Sequence, residues 1–436
     1  MEAERRDAES LAIPLLLEED EKKPQKLVEK DTDVEAQPIG HYSAAAGTTS
    51  FFKTCFNGLN ALSGIGILST PHALSSGGWL SLIVLFLIAA ATFYTGMLIK
   101  RCMDADPNVK TYPDIGQLAF GKKGRLVVSV FMNLELYLVA TGFLILEGDN
   151  LYNLFPIDGV EIAGFRIEGK QVFVIAVALI ILPTVMLNDM SMVSYISATG
   201  VLASIIILGS ILMAGTYDGI GFHEKGRLLD WNGIPTAVSL YAFCYCAHPV
   251  FPTLYTSMKD KSKFSKVLLL CFIFCTIIYA SMAVSGYLMF GSNANSQITL
   301  NLPLNRISSK VAIYTTLINP IAKYALMVTP IVNAIEDRLA DSIRKSAGPV
   351  IRTSLVISTM IVALAIPFFG SLMSLVGAFL SLTAAVILPC LCYLKVSGTY
   401  RIFRLKLVVI AGILLVGILV AIIGTYTSLA EIIGHL

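Results

Sequence analysis

Two short stretches of this 436-residue sequence could hold a small charged molecule with backbone atoms alone. The first is Ser63-Gly64-Ile65-Gly66-Ile67-Leu68-Ser69-Thr70-Pro71. The second is Phe243-Cys244-Tyr245-Cys246-Ala247-His248-Pro249-Val250-Phe251-Pro252. Each lies inside an apolar run. Proline removes a backbone donor and clashes with the preceding turn. Paired glycines let the chain leave helical geometry at little cost. A helix broken there presents free N–H groups at one broken end and free carbonyls at the other. The N–H end suits a carboxylate, and the carbonyl end suits an ammonium or a cation. A zwitterion such as an amino acid offers both charges. Gly64, Ile65, Gly66 and Ile67, flanked by Ser63 and Leu68, are therefore expected to bind an α-carboxylate. Phe243, Cys244, Tyr245 and Cys246, with carbonyls of the first stretch, are expected to receive the amino group. Tyr137, Thr141, Phe243 and Tyr245 would add a mixture of aromatic and small polar side chains. Neither stretch contains an acidic residue, which favours neutral amino acids. The competing explanation is that Gly64 and Gly66 merely permit close helix packing.

A few ionisable residues fall inside apolar segments, where they are costly and are functional candidates. Lys323, in Asn319-Pro320-Ile321-Ala322-Lys323-Tyr324, is expected to place a fixed positive charge beside the first stretch. The alternative is a structural lysine paired with a carbonyl or with Glu135. Glu135 lies one turn below Tyr137 and Thr141. Glu147 and Asp149 sit nearer the end of the same segment and could cap or anchor it. His248, next to Pro249, could titrate near neutral pH or serve as a hydrogen-bonded strut. The eight cysteines all lie in or beside apolar segments. Their spacing fits membrane packing rather than a metal site or an extracellular disulfide. No cofactor or metal is expected.

These residues need elements to position them, and hydropathy supplies those elements. The chain is 55% hydrophobic and only 14% charged, with a mean hydropathy of +0.73. A soluble domain carries about 25% charge, so most of this chain must face lipid. A spanning helix needs about 20 apolar residues. That window yields eleven candidate spans, at 51–75, 78–100, 125–153, 171–188, 191–215, 233–257, 266–290, 311–335, 350–368, 371–394 and 404–431. With the N-terminus in the cytoplasm, 25 of the 32 Lys and Arg residues fall on the cytoplasmic side, 6 on the other, and Lys323 inside a span. That asymmetry supports an odd number of spans and a lumenal or external C-terminus.

The spans repeat. The first and sixth start 182 residues apart, and the fifth and tenth 180 apart. Five spans per unit make the second unit enter the membrane from the opposite side, as in an inverted-topology repeat. The two broken stretches fall at corresponding positions of the two units. Coincident breaks are the strongest sequence pointer to a transport site, because unwound backbone in a bilayer is tolerated only beside a polar cavity or ligand. The expected organisation is a disordered cytoplasmic tail over 1–48, a first repeat over 49–216, a second, inverted repeat over 231–396, and a final span with a short lumenal C-terminus over 401–436. Within the tail, Ile13-Pro14-Leu15-Leu16-Leu17-Glu18-Glu19-Asp20 is a dileucine-like patch or simply a sticky one.

Other function classes lack their residues. No GxxxxGK[ST] loop is present, so ATP-driven pumping is not indicated. There is no Ser/His/Asp or HExxH arrangement for an enzyme and no filter repeat for a channel. The net charge of +2 does not suggest a nucleic-acid partner. A sensor or scaffold with vestigial transport stays open as a second class.

Asn57-Gly58-Leu59-Asn60-Ala61 followed by Gly64 to Pro71 resembles the first-segment signature of the amino acid/auxin permease family, in particular its plant vacuolar amino acid transporter branch. Leu146-Glu147-Gly148-Asp149-Asn150-Leu151, Tyr245 to Pro252 and Lys323-Tyr324-Ala325-Leu326 resemble further signatures of that branch. The resemblance covers residues 50 to 436. It implies an all-α polytopic membrane protein with eleven transmembrane helices. These would form a 5+5 inverted repeat of the bacterial leucine-transporter type plus one extra helix. It further implies a proton-coupled symporter or antiporter of amino acids in the vacuolar or another endomembrane, driven by an acidic lumen. A monomer is expected.

Overall fold

Apolar runs in lipid become helices because no water is present to satisfy a free N–H or carbonyl. The computed structural model describes residues 47, 49–162, 164–186, 192–398 and 405–435. The chain divides into two units, Met1–Ile39 and Gly40–Leu436. The first unit, which holds most of the expected tail and its dileucine-like patch, lies outside the described residues.

The helices of the second unit are α1 (Phe51–Leu62), α2 (Thr70–Gly77), α3 (Ser81–Ala105), α4 (Tyr112–Leu154), α5 (Gly169–Met186), α6 (Met192–Thr216) and α7 (Ile234–Cys244). They continue with α8 (Phe251–Ser257), α9 (Phe264–Phe290), α10 (Ile307–Glu336), α11 (Asp341–Ala365), α12 (Phe369–Leu375), α13 (Leu388–Ser397) and α14 (Leu405–His435). Among the described residues, ten helical stretches are long and apolar enough to cross a membrane. The first expected span, 51–75, is not one of the ten. It is cut into α1, a 3-10 turn at Ile65–Ser69, and α2, none longer than 12 residues. The sixth is likewise divided between α7 and α8.

Local chemistry explains several boundaries. Ser50 caps α1 by accepting from the Lys53 N–H. Thr111 and Asp114 form a reciprocal capping box at the start of α4, satisfying donors that the first turn leaves free. α4 therefore begins well before the expected span at 125, and it kinks at Gly121. Between α4 and α5, Val160–Ile162 and Phe165–Ile167 pair as an antiparallel hairpin. The sequence reading did not anticipate it, since six residues carry little periodicity. The membrane side bearing this hairpin is called the hairpin face below. α14 packs on α7 and α12 and leaves Leu415, Val416 and Ile422 exposed on its outer surface, as expected of a lipid-facing helix.

The tenth segment is unusual. Between α12 and α13 the chain winds as π-helix over Val376–Ser381 and again over Thr383–Ile387. Wider turns of this kind re-aim side chains and free backbone carbonyls, often near functional sites. Here the Tyr112 hydroxyl donates to the Ala384 carbonyl at 2.6 Å. Gly377 packs against the α7 backbone. A methyl group there would collide with the Ser239 carbonyl and stand 3.1 Å from Phe243 Cβ. Overpacking of this sort costs about 1–3 kcal/mol. Gly377→Ala is thus expected to lower the thermal unfolding midpoint in detergent, and an unchanged midpoint would refute the close packing.

Candidate substrate site at the broken helices

The first break begins where α1 stops. The Ser63 N–H donates to the Leu59 carbonyl at 2.7 Å and the Gly64 N–H to Leu62 at 2.8 Å. Gly64 is extended (φ −93°, ψ −170°), and no side chain caps the 3-10 turn that follows. The first N–H groups of that turn, on Ile65 and Gly66, have no carbonyl one turn behind them. Pro71 then opens α2, a position where its missing donor does no harm. The second break follows the same logic. α7 ends at Cys244 and a 3-10 turn at His248–Val250 precedes α8, which opens with Pro252.

The fold sets the two breaks against each other. A Cβ at Gly66 would stand 2.7 Å from Cys244 Sγ and 3.3 Å from the Phe243 ring. Of the residues expected to bind substrate, Ser63 through Leu68 and Phe243 through Tyr245 therefore form one cluster. Thr141 is buried, its hydroxyl donating to the Tyr137 carbonyl at 3.0 Å. The next residue, Gly142, approaches Ile65 and Met373, which brings this part of α4 to the edge of the cluster. Tyr137 itself is half-buried.

α9 supplies the residue that joins the breaks. The Tyr279 hydroxyl donates to the Leu62 carbonyl and lies 3.2 Å from the Cys244 carbonyl. It thus meets the carbonyl ends of both broken helices, the place where an ammonium was expected. One turn away, Thr276 accepts a 2.8 Å bond from the Tyr245 hydroxyl, and Cys275 Sγ stands 3.9 Å from Ser63 Oγ. Tyr245 also stacks on Phe272. The sequence reading passed over this face of α9. Its signal was present: Cys275, Thr276 and Tyr279 recur at one-turn spacing in an otherwise apolar segment, so they share a face.

Lys323 is 5% exposed and donates to the Ser63 carbonyl at 2.9 Å. It does not pair with Glu135. The carboxylate of Glu135 instead accepts from Ser381 Oγ at 2.6 Å and lies beside the Cys246 thiol. Although neither break contains an acidic residue, α4 therefore delivers one to the second break. The π-helical winding at Val376–Ser381 ends at the residue that meets it. His248 is buried with Nε2 3.0 Å from both Thr95 Oγ1 and the Thr92 carbonyl of α3. Its Nδ1 is buried without a hydrogen-bond partner. Asp149 anchors its end of α4 through Lys170 and Gln297, whereas Glu147 caps nothing. All eight cysteines are free thiols.

A cavity of about 10 Å³ borders the first break, walled by Gly64, Ile67, Ser204, Thr316 and Asn319. This is room for about one water, so an amino acid can enter only if the helices separate. On the hairpin face, a cavity of about 430 Å³ opens between the end of α2 and the start of α7. His72, Arg227, Asp230, Asn232 and Glu431 line it. This vestibule is large enough for a small solute and lies at the ends of both broken segments.

The same architecture recurs in a solved structure of a Na+-coupled sialic acid symporter in a substrate-bound outward-open state. The match has a TM-score of 0.56 at 14% identity and covers 89% of this chain and 91% of that one. The fold is of the bacterial leucine-transporter type. Among curated proteins, amino acid transporter AVT1I of Arabidopsis thaliana is 59% identical over 390 residues, covering 89% of this chain and 96% of the relative. Amino acid transporter AVT1J of the same plant is 59% identical over 409 residues, covering 93% and 96%. AVT1B, also from Arabidopsis, is 43% identical over 430 residues, covering 97% of this chain and 79% of the relative. Residues 47–430 match the family of transmembrane amino acid transporter proteins, and with relatives of that identity over nearly their full length, the chain belongs to that family.

Proposed function

We propose that this protein is a proton-coupled carrier of neutral amino acids in an endomembrane such as the vacuolar membrane. In this reading the chain crosses eleven times with its N-terminus in the cytoplasm, and 49–216 and 231–396 are its inverted repeats. It works as a monomer, exchanging amino acids and protons across the bilayer. The observation that carries the reading is the convergence of two broken helices, from corresponding segments, on one hydroxyl at Tyr279. Relatives bearing amino acid transporter names support the substrate class.

The chemistry follows from the geometry. The α-carboxylate takes the free N–H groups of Ile65 and Gly66. The ammonium takes the Leu62 and Cys244 carbonyls, displacing the Tyr279 hydroxyl that occupies them in this closed conformation. An ammonium carries three donors and a full charge, and charge-assisted hydrogen bonds are roughly twice as strong as neutral ones. Lys323 holds the Ser63 carbonyl, setting a positive charge at the carbonyl end of α1. Glu135 is engaged by Ser381, so it is not free to select a cationic side chain. His248 ties α3 to the second break.

Reconstitution in liposomes with an imposed pH gradient and a panel of labelled amino acids tests the reading. Uptake of neutral amino acids that follows the gradient is expected. Absence of gradient-dependent flux for every member of the panel would overturn it.

A further inference from the structure

Glu147 is the most isolated ionisable group among the described residues. It sits on α4 two turns before the helix ends at Leu154, with 0% exposure. Neither of its carboxylate oxygens has a hydrogen-bond partner. Among the described side chains, the charged groups on the elements packed against α4 are paired elsewhere or exposed. Lys170 of α5 is held by Asp149 and donates to the Pro367 carbonyl at 2.8 Å. Lys323 of α10 donates to Ser63, while Lys310 of α10 is exposed. Arg352 of α11 lies 3.9 Å from Glu336. Lys100, Arg101 and Asp104 of α3 and Lys395 of α13 stand toward the Tyr112 end of α4, and His248 is held by α3. α12, the turn at Ile298–Asn301 and the two π stretches carry no ionisable side chain.

An ionised carboxylate in such a place would be an uncompensated buried charge, which proteins avoid by neutralising the group. A protonated carboxyl has a donor to offer. One helical turn on, on the neighbouring face, buried Asn150 has an unpartnered Oδ1 that needs a donor. The Thr299, Ser309 and Thr316 hydroxyls, on elements packed against α4, are buried and unpartnered as well. Glu147 is also within reach of a polar path. Asn150 Nδ2 donates to Gln297 at 2.7 Å, and Gln297 Nε2 donates to Asp149 at 2.7 Å. Asp149 and Lys170 are partly exposed, at 11% and 29%. The same loop accepts His72, a vestibule residue, at the Ala294 carbonyl.

We propose that Glu147 is a proton-binding site of this carrier. It holds a proton in the closed conformation and exchanges it with the hairpin face through water admitted beside the polar cluster of Asn150, Gln297 and Asp149. The proton leaves the Glu147 carboxyl for the Asp149 carboxylate or for water, and no electrons change hands. The proposal rests on the proton-coupled reading above and assigns that coupling to a residue outside the substrate cluster.

The test compares wild type, Glu147→Gln and Glu135→Gln in proteoliposomes with the membrane potential clamped at zero. The probe is the labelled neutral amino acid that wild type accumulates best. A carrier moving one proton per cycle sustains about tenfold accumulation across one pH unit. Glu147→Gln, which mimics the protonated acid, is expected to lose that accumulation while still exchanging labelled for unlabelled amino acid. Gradient-driven accumulation retained in Glu147→Gln overturns the proposal and leaves the coupled reading standing. Absence of gradient-driven flux in wild type overturns the coupled reading itself. Infrared spectroscopy of the purified protein at neutral pH supplies an independent readout. A protonated-carboxyl band is expected in wild type and in Glu135→Gln, and its loss is expected in Glu147→Gln. If Glu147→Gln does not fold, the other two spectra still decide: a wild type or a Glu135→Gln protein without that band overturns the proposal.

Discussion

Replacing Gly66 with leucine is expected to reduce amino acid uptake to background while the protein still reaches its membrane. At this position even a methyl group meets Cys244 Sγ at 2.7 Å and the Cys244 Cα at 3.3 Å. The thiol could shift, but the backbone of Cys244 cannot move without carrying its carbonyl away from Tyr279. A leucine adds three more carbons in the same direction. The two breaks must then separate, and the N–H groups of Ile65 and Gly66 lose their register with the carbonyls of Leu62 and Cys244. Misplacement of about 1 Å can cost 100-fold in a process that depends on such alignment. Initial uptake rates, normalised to surface or membrane abundance, check it. Gly64→Ala is the matched control, since no atom lies within 4 Å of a Cβ placed there. Normal uptake by Gly66→Leu would remove the first break from the substrate site.

The second large effect is expected at Lys323. Methionine keeps the length of the stem and its packing but removes the charge and the donor to Ser63. A buried acceptor left without its partner costs about 1–3 kcal/mol, and the loss of the charge adds to this at the carbonyl end of α1. Lys323→Met is thus expected to lower the uptake rate by about ten- to a hundredfold, with the larger loss under an imposed pH gradient. Lys323→Arg should not restore it, because a planar fork cannot replace a compact ammonium at a single carbonyl. Full activity in Lys323→Met would reduce the residue to packing.

Much of this arrangement is legible in the sequence, for identifiable reasons. Hydropathy marks the spans because the bilayer forces apolar residues into continuous helices. The breaks are visible because only Gly and Pro interrupt such helices cheaply, and Gly64, Gly66, Pro249 and Pro252 do so. Lys323 stands out because charge inside a span is rare. What joins these parts is not legible. Tyr279 is an ordinary tyrosine in an apolar helix until the fold sets it between two carbonyl ends. The contact between Glu135 and Ser381 depends on π-helical winding, which has no residue signature here. Glu147 and Asp149 are two residues apart and look alike in sequence. Their environments differ because successive positions on a helix point about 100° apart, Asp149 toward Lys170 and Gln297 and Glu147 into the buried interior.

The junction at Tyr279 also sets a condition on how the protein is made. Its hydroxyl reaches a carbonyl 217 residues earlier in the chain, and Lys323 reaches back 260 residues to Ser63. At about 5–20 residues per second, Leu62 must wait roughly 10–40 s after its synthesis before Tyr279 emerges. During that interval the Leu62 carbonyl has only the local Gly64 N–H and the Ser63 carbonyl still lacks Lys323, in a medium where an unsatisfied carbonyl costs several kcal/mol. The first segment must therefore linger where water can still reach it, and final burial of its two halves is postponed until the seventh segment arrives.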